Sequence, residues 1–301
     1  MSHVLTLVCP PGRPVLDEAL LHELSAHLPS PDEPVWLAEG LAADIPFAPM
    51  GATDNRRIAE MLRLELGDLP VDLFVQAKAH RRKRLFLADM DSTMIGQECI
   101  DELADFVGKK AEVAAITERT MRGELVFETS LRARVALLEG LAADVVETVI
   151  AERIKLTPGG TQLVRTMKAN GAYTALVSGG FTLFTGPIAA TIGFDENRAN
   201  TLLVANGKFT GRVTEPILGR EAKFESLVEL RARNGLVREE TMAVGDGAND
   251  LSMIQEAGLG VAFHAKPAVA VAAAAAGARV DHGDLTALLY AQGYKREQFV
   301  G

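Results

Sequence analysis

Three apolar runs, each breaking off in polar or acidic residues, constrain this chain more than anything else in it: LFLAD, YTALVSGG and TMAVGDGAND. LFLAD climbs without polar alternation to Asp89, the pattern of a strand covered on both faces, and such strands belong to parallel sheets. Helical periodicity fills GGTQLVRTMKANG, FTLFTGPIAATIG, AKFESLVELRARNG and LSMIQEAG, while LGVAFH and ARVD supply late strands. Repeated β-α units of this kind predict an α/β fold on a doubly wound, Rossmann-like parallel sheet. Ligands of such sheets lie at the carboxyl ends of the strands, where Asp89, Ser178 and Asp246 fall.

Between about residues 96 and 157 the periodicity is helical almost throughout, in CIDELADFVG, KAEVAAITERTMRG, VFETSLRARVALLEGL and AADVVETVIAERI. A helical cap inserted into the α/β domain is expected there. TLLVANGKFTGRVTEP reads as a hairpin turning at Asn206-Gly207. Ahead of Leu85 the text differs: VLTLVC, DEALLHELSAHL, PVWLAEGLAADIPF, TDNRRIAEMLRLEL and VDLFVQA follow roughly the order β-α-β-(β)-α-β, a ferredoxin-like arrangement. The expected division is residues 1–80 for this small unit and 81–301 for the α/β domain with its cap.

The 301 residues leave room for two domains. With 40 acidic against 31 basic residues the net charge is −9, which argues against nucleic acid as a partner. The one basic cluster, His80 to Arg84, is expected to be a solvated linker face. Only Cys9 and Cys99 occur, without metal-ligand spacing, so no disulfide framework or zinc site is expected and a reducing, cytoplasmic setting fits. MSHVLTLVCPPGRP lacks the basic start and long apolar core of a signal peptide. The longest apolar tract, Pro267 to Ala278, is too short to span a bilayer and is expected to be a small-residue packing helix, so no membrane partner is predicted.

The chemistry concentrates at the strand ends. Asp89 and Asp91, Ser178-Gly179-Gly180, and Asp246 with Asn249 and Asp250 share one end of the sheet, and Lys223 opens the helix before the last motif. Several carboxylates in one cleft repel, and each would titrate high unless cations hold it ionised. A hard divalent metal and the Lys223 ammonium are the two available. Mg²⁺ takes oxygen ligands and commonly uses one or two carboxylates with waters and phosphate. The set therefore suggests Mg²⁺-assisted phosphoryl transfer.

DMDST, VSGG, a lone Lys and GDGAND, in that order, resemble the motifs of the haloacid dehalogenase-like superfamily from about Leu85 to the end of the chain. Within it, DMDSTMIGQECIDELA and MRGELVFETSLRARVALL are similar to the first motif and the cap of the phosphoserine phosphatase family. The resemblance implies that Asp89 is a nucleophile forming an aspartyl phosphate and that Asp91 donates and accepts the proton. It implies Mg²⁺ between the Asp89 side chain, the Asp91 carbonyl and Asp246, supported by Asp250. Ser178, Gly179, Lys223 and Asn249 would hold the phosphoryl group. Glu98 would receive the ammonium and Arg134 the carboxylate of the substrate O-phospho-L-serine, under an apolar lid of Met121 and Phe127. The small N-terminal unit resembles an ACT-like regulatory fold, with dimerisation, serine binding or a purely stabilising role open.

Each of these residues also has a plainer reading: Asp89, Asp246, Asp250 and Ser178 as turn or cap residues, Lys223 as a solvated helix lysine, Glu98 and Arg134 as partners of neighbouring salt bridges, Met121 and Phe127 as core. His264 and His282 are expected to be structural or exposed, and Cys99 a buried cap residue. Two functional alternatives stand beside the first. One is a phosphatase or phosphotransferase for another small phosphomonoester; the other is a receiver-like phospho-aspartate module, which needs neither Asp91 nor the helical insertion.

Overall fold

The computed structural model describes residues 1–49, 54–265, 267–274 and 278–301, and within them not the side chains of Met121, Pro267, Ala268, Ala273 and Ala274. The N-terminal unit contains β1 (His3–Val8), α1 (Glu18–Ser25), β2 (Val35–Ala38), β3 (Ala42–Phe47), α2 (Asn55–Leu66) and β4 (Asp72–Ala77). Its antiparallel sheet has the order β2-β3-β1-β4, the ferredoxin-like arrangement expected from the sequence. Neighbouring strand residues point to opposite faces: Leu73 packs with the unit's own helices, and Phe74 joins the core shared with the rest of the chain.

The larger part begins with β5 (Leu85–Ala88), followed by α3 (Cys99–Asp105), α4 (Lys110–Met121), α5 (Phe127–Ala136) and α6 (Val145–Glu152). Alternation then resumes with α7 (Gly160–Ala169), β6 (Tyr173–Phe181), α8 (Thr182–Ile192), β7 (Glu196–Asn200), β8 (Leu202–Ala205) and β9 (Lys208–Val213). The chain ends with α9 (Arg220–Arg233), β10 (Thr241–Gly245), α10 (Leu251–Glu256), β11 (Leu259–Phe263), α11 (Pro267–Ala274), β12 (Ala278–Val280) and α12 (Ala287–Ala291). Six strands form one parallel sheet in the order β12-β11-β10-β5-β6-β7. The chain winds outward from β5 through β7, returns to β10 and winds the other way, so the topological switch lies between β5 and β10, where a crevice opens at the strand ends.

Helices α3–α6 form the cap, and a second chain segment completes it. The β8–β9 hairpin, turning at Asn206-Gly207 as expected, lies on α5: Gly140 N–H donates to the Phe209 carbonyl at 2.9 Å and Phe209 N–H to the Leu141 carbonyl at 2.9 Å. Two expectations need correction, and one strand had no expectation at all. Pro267–Ala274 is helical, but Ala278 already belongs to β12, so the Ala-rich tract is not one helix. The strand β7, ENRAN, carries no apolar run and went unread. The basic cluster is solvated only in part: His80, Arg82 and Arg84 are exposed, but Arg81 pairs with Asp44 at 2.6 Å and donates to the Ala291 carbonyl at 2.8 Å, and Lys83 is only 7% exposed. Position, more than charge, decides this, because Arg81 and Lys83 cross the seam between the two sheets.

Candidate active site

The strand β5 is entirely buried and delivers Asp89 into the crevice beside β10. Asp89 and Asp91 each have an extended backbone and both line the crevice; Ser92, at φ 55°, then turns the chain toward the cap. Asp89 pairs with Lys223 Nζ at 2.7 Å, and the same ammonium pairs with Asp250 at 2.6 Å. Lys223 is fully buried. Burial alone would lower its pKa; the carboxylates of Asp250 and Asp89 outweigh that and hold it above the ordinary lysine value. Lys223, expected from the sequence to hold phosphate, has these two carboxylates as its ion-pair partners.

Asp89, Asp246 and Asp250 each place a carboxylate oxygen within 4.8 Å of the others, all three residues buried. Thr93 Oγ1 donates to Asp246 at 3.2 Å, and Asp250 accepts the Gly247 N–H at 3.0 Å. Gly245 has no room for a side chain, because a Cβ there would lie 2.3 Å from Asp250 Cγ. Three buried carboxylates against one lysine leave an excess of negative charge, and the oxygen-only donor set suits a hard divalent cation.

The Asp91 carboxyl is lifted to about 7, chiefly by burial and also by Asp89, with the Cys99 thiol and N–H opposing. Cys99 N–H donates to Asp91 Oδ1 at 3.4 Å. Cys99 is therefore buried at the start of α3, as expected, and touches a central carboxylate. Ser178 Oγ accepts the Gly180 N–H at 2.9 Å, which fixes the bend at the end of β6. Asn249 turns a buried Oδ1 with no hydrogen-bond partner among the described residues toward this crevice.

From the cap, Glu98, Phe127 and Arg134 join Asp89, Asp91, Ser178, Gly179 and Asn249 around a single cavity. Glu98 accepts from Ser92 Oγ at 2.8 Å, and its carboxyl is raised to about 8 by burial, then by Asp91. Arg134, 2% exposed, donates to the Ser130 carbonyl and to Thr117 Oγ1, yet no carboxylate among the described residues lies within ion-pair distance of it. Burial lowers its pKa, with Glu98 and Asp101 opposing. Phe127 stacks on Gly179. Met121 ends α4, but its side chain lies outside the described residues.

Sequence reasoning missed Ile100, Leu131 and Phe181, which supply apolar wall. It also missed Asn200, 3% exposed, whose Nδ2 donates to the Gly179 carbonyl at 2.9 Å and the Leu218 carbonyl at 3.0 Å, while Oδ1 accepts the Leu218 N–H at 2.7 Å. That side chain straps the Ser178–Gly180 bend to the approach of α9.

The profile of the haloacid dehalogenase-like hydrolases matches residues 86–255. The chain belongs to that family. Membership sets aside the receiver-like alternative. Within the family the chain groups with phosphoserine phosphatases. One from Streptomyces coelicolor is 45% identical over 264 residues, covering 87% of this chain but 63% of that protein, so this chain spans under two thirds of its length. A solved phospho-aspartyl intermediate analogue of phosphoserine phosphatase is 42% identical with a TM-score of 0.65, over 69% of this chain and 98% of that one. The unliganded probable phosphoserine phosphatase of Vibrio cholerae is 30% identical with a TM-score of 0.73, over 99% of this chain and 88% of that one. Among the described residues no helix is long and apolar enough to cross a membrane.

Proposed function

We propose that this protein is a Mg²⁺-dependent, cytoplasmic phosphoserine phosphatase, hydrolysing O-phospho-L-serine to L-serine and phosphate in the last step of serine biosynthesis. One observation carries the substrate assignment. The cavity that holds Asp89 and Asp91 also holds a buried guanidinium with no paired carboxylate among the described residues and a half-buried Glu98, a layout suited to a zwitterion. Arg134 takes the substrate carboxylate through its planar fork, and Glu98 takes the ammonium.

In this reading Asp89 attacks phosphorus, the bond to the serine oxygen breaks, and the phosphoryl group passes to the Asp89 carboxylate. A carboxyl held at about 7 carries a proton near neutrality, and Asp91 gives it to the leaving oxygen. Asp91, now ionised, takes a proton from the water that attacks the aspartyl phosphate, which restores Asp89 and frees phosphate. Burial and the Asp250 charge hold the Asp89 carboxyl well above the ordinary carboxylate range, and the Lys223 ammonium opposes them, favouring the ionised form that attacks. Ser178, the Gly179 N–H and Asn249 steady the phosphoryl oxygens, and Phe127 excludes water. Asp89, Asp246 and the Asp91 carbonyl, with Asp250 in support, would hold Mg²⁺, which would supply neutralising charge there.

The division at about residue 80 and a homodimer through the N-terminal unit belong to the same proposal, since β2 leaves an open sheet edge; a monomer on sedimentation of the full chain overturns the dimer. The activity is tested by phosphate release from O-phospho-L-serine with Mg²⁺ and with EDTA, beside a panel of phosphomonoesters. EDTA-sensitive release with preference for phosphoserine is expected. Release from other esters alone keeps the Asp89 chemistry and removes the roles given to Glu98 and Arg134.

A further inference from the structure

A second cavity, of about 250 Å³, lies at the seam where α2 and β4 of the N-terminal unit face the β11–β12 side of the parallel sheet. Its lining is cationic. Arg56 and Arg63 come from one face of α2, and Lys83 comes from the connection into β5. None of the three takes part in an ion pair among the described residues, although the chain has 40 acidic against 31 basic residues. Lys83 is 7% exposed and its ammonium spends one donor, on the Glu239 carbonyl at 2.7 Å. Burial pulls its pKa down to about 8, and burial also lowers that of Arg63.

The neighbouring carboxylates offset these charges only from a distance: Glu239 acts on Lys83, and Asp281, Glu60 and Asp72 act on Arg63, none of them within ion-pair distance among the described residues. The exposed Glu239 side chain lies beyond ion-pair distance of Lys83. Asp72 is committed to the backbone N–H groups of Asp281, His282 and Gly283. Asn55, on the same lining, has a buried Oδ1 with no hydrogen-bond partner among the described residues, an amide whose orientation a ligand would set.

We infer that this seam cavity is a binding site for a small anion bearing a carboxylate or phosphate group. Two guanidinium forks, a buried ammonium with donors to spare and a side-chain amide form a recognition set for such oxygens. At about 30 Å³ of liquid volume per water the space equals about eight waters, room for a phosphate or a small organic acid. Because Arg56 and Arg63 belong to the N-terminal unit and Lys83 leads into the parallel sheet, the anion bridges the two. The site is separate from the cavity that holds Asp89.

Binding of inorganic phosphate and of succinate to the full chain, measured by calorimetry at constant ionic strength against sodium chloride, tests this. The Lys83→Met and Arg63→Gln variants are run alongside, with p-nitrophenyl phosphate turnover as the check on folding. At least one anion is expected to bind the wild type and to bind each variant about tenfold or more weakly, while turnover holds. Phosphate alone identifies a phosphate ligand and succinate alone a carboxylate ligand. Neither anion binding, or variants binding like wild type (as phosphate held only beside Asp89 would), overturns the inference. Should Lys83→Met not fold, Arg63→Gln decides.

Discussion

Phe127 of the cap rests directly on Gly179 of the sheet: a Cβ at Gly179 would lie 2.6 Å from Phe127 Cζ. Cap and sheet therefore meet over the Ser178–Gly180 bend through one ring and one missing side chain. Gly179→Ala is expected to lower kcat/KM by about 10-fold to 100-fold by displacing the ring. Phe127→Ala should also lower it by losing the lid. The double variant should be clearly less impaired than the product of the two losses; a multiplicative result in the kinetic cycle would separate the residues.

Lys223 separates a structural from a chemical loss. Lys223→Met leaves Asp89 and Asp250 buried without their shared cation, and about 3–5 kcal/mol of stability should go with it, read by urea unfolding. Asp89→Asn keeps volume and removes only the attacking carboxylate. Turnover should fall by about 10³-fold or more with little change in unfolding midpoint. Substantial residual turnover in Asp89→Asn would remove its assignment as nucleophile.

Glu98 gives a pH dependence with a definite sign. Its carboxyl titrates at about 8 in the free protein, so at pH 7 it is mostly protonated, whereas an ammonium binds the ionised form. KM for O-phospho-L-serine should fall as pH rises from about 6.5 toward 8, with p-nitrophenyl phosphate, which has no ammonium, lacking this component. Glu98→Gln should flatten the difference. In the same comparison Arg134→Ala should damage phosphoserine turnover at least about tenfold more than p-nitrophenyl phosphate turnover.

Asn200 should act at a distance through the Gly179 carbonyl. Asn200→Ala removes three hydrogen bonds, taking this partner from the buried Gly179 carbonyl and from the half-buried Leu218 carbonyl and N–H. A loss of about 2–4 kcal/mol is expected from unfolding curves. KM for inorganic phosphate-releasing substrates should rise with it, as a loosened bend no longer presents the Gly179 N–H.

The strand ends were legible because each motif follows an apolar run, and a buried parallel strand can be read without knowing its partners. Asn200 was hidden for the opposite reason. It closes ENRAN, a strand lacking that run and held by side-chain partners remote in sequence, such as Tyr173 to Glu196 and Arg198 to Glu229. The hairpin at Asn206-Gly207 was visible from its turn, but its place on α5 depends on packing. Arg81 and Lys83 looked solvated since charge in a linker usually is; only the docking of one sheet beside another buries them.

Two segments, not one, make up the cap, and that limits how it can travel. Chain passes between sheet and cap before α3, after α6, before β8 and after β9. A lid on a single pair of tethers can swivel about them. With two pairs set apart, and the hairpin bonded to the α5 end, a twist of the cap would strain one pair against the other, whereas a rocking motion would not. A cap that rocked would bring Phe127 down on the same spot at each closure, its accuracy inherited from where the chain is anchored.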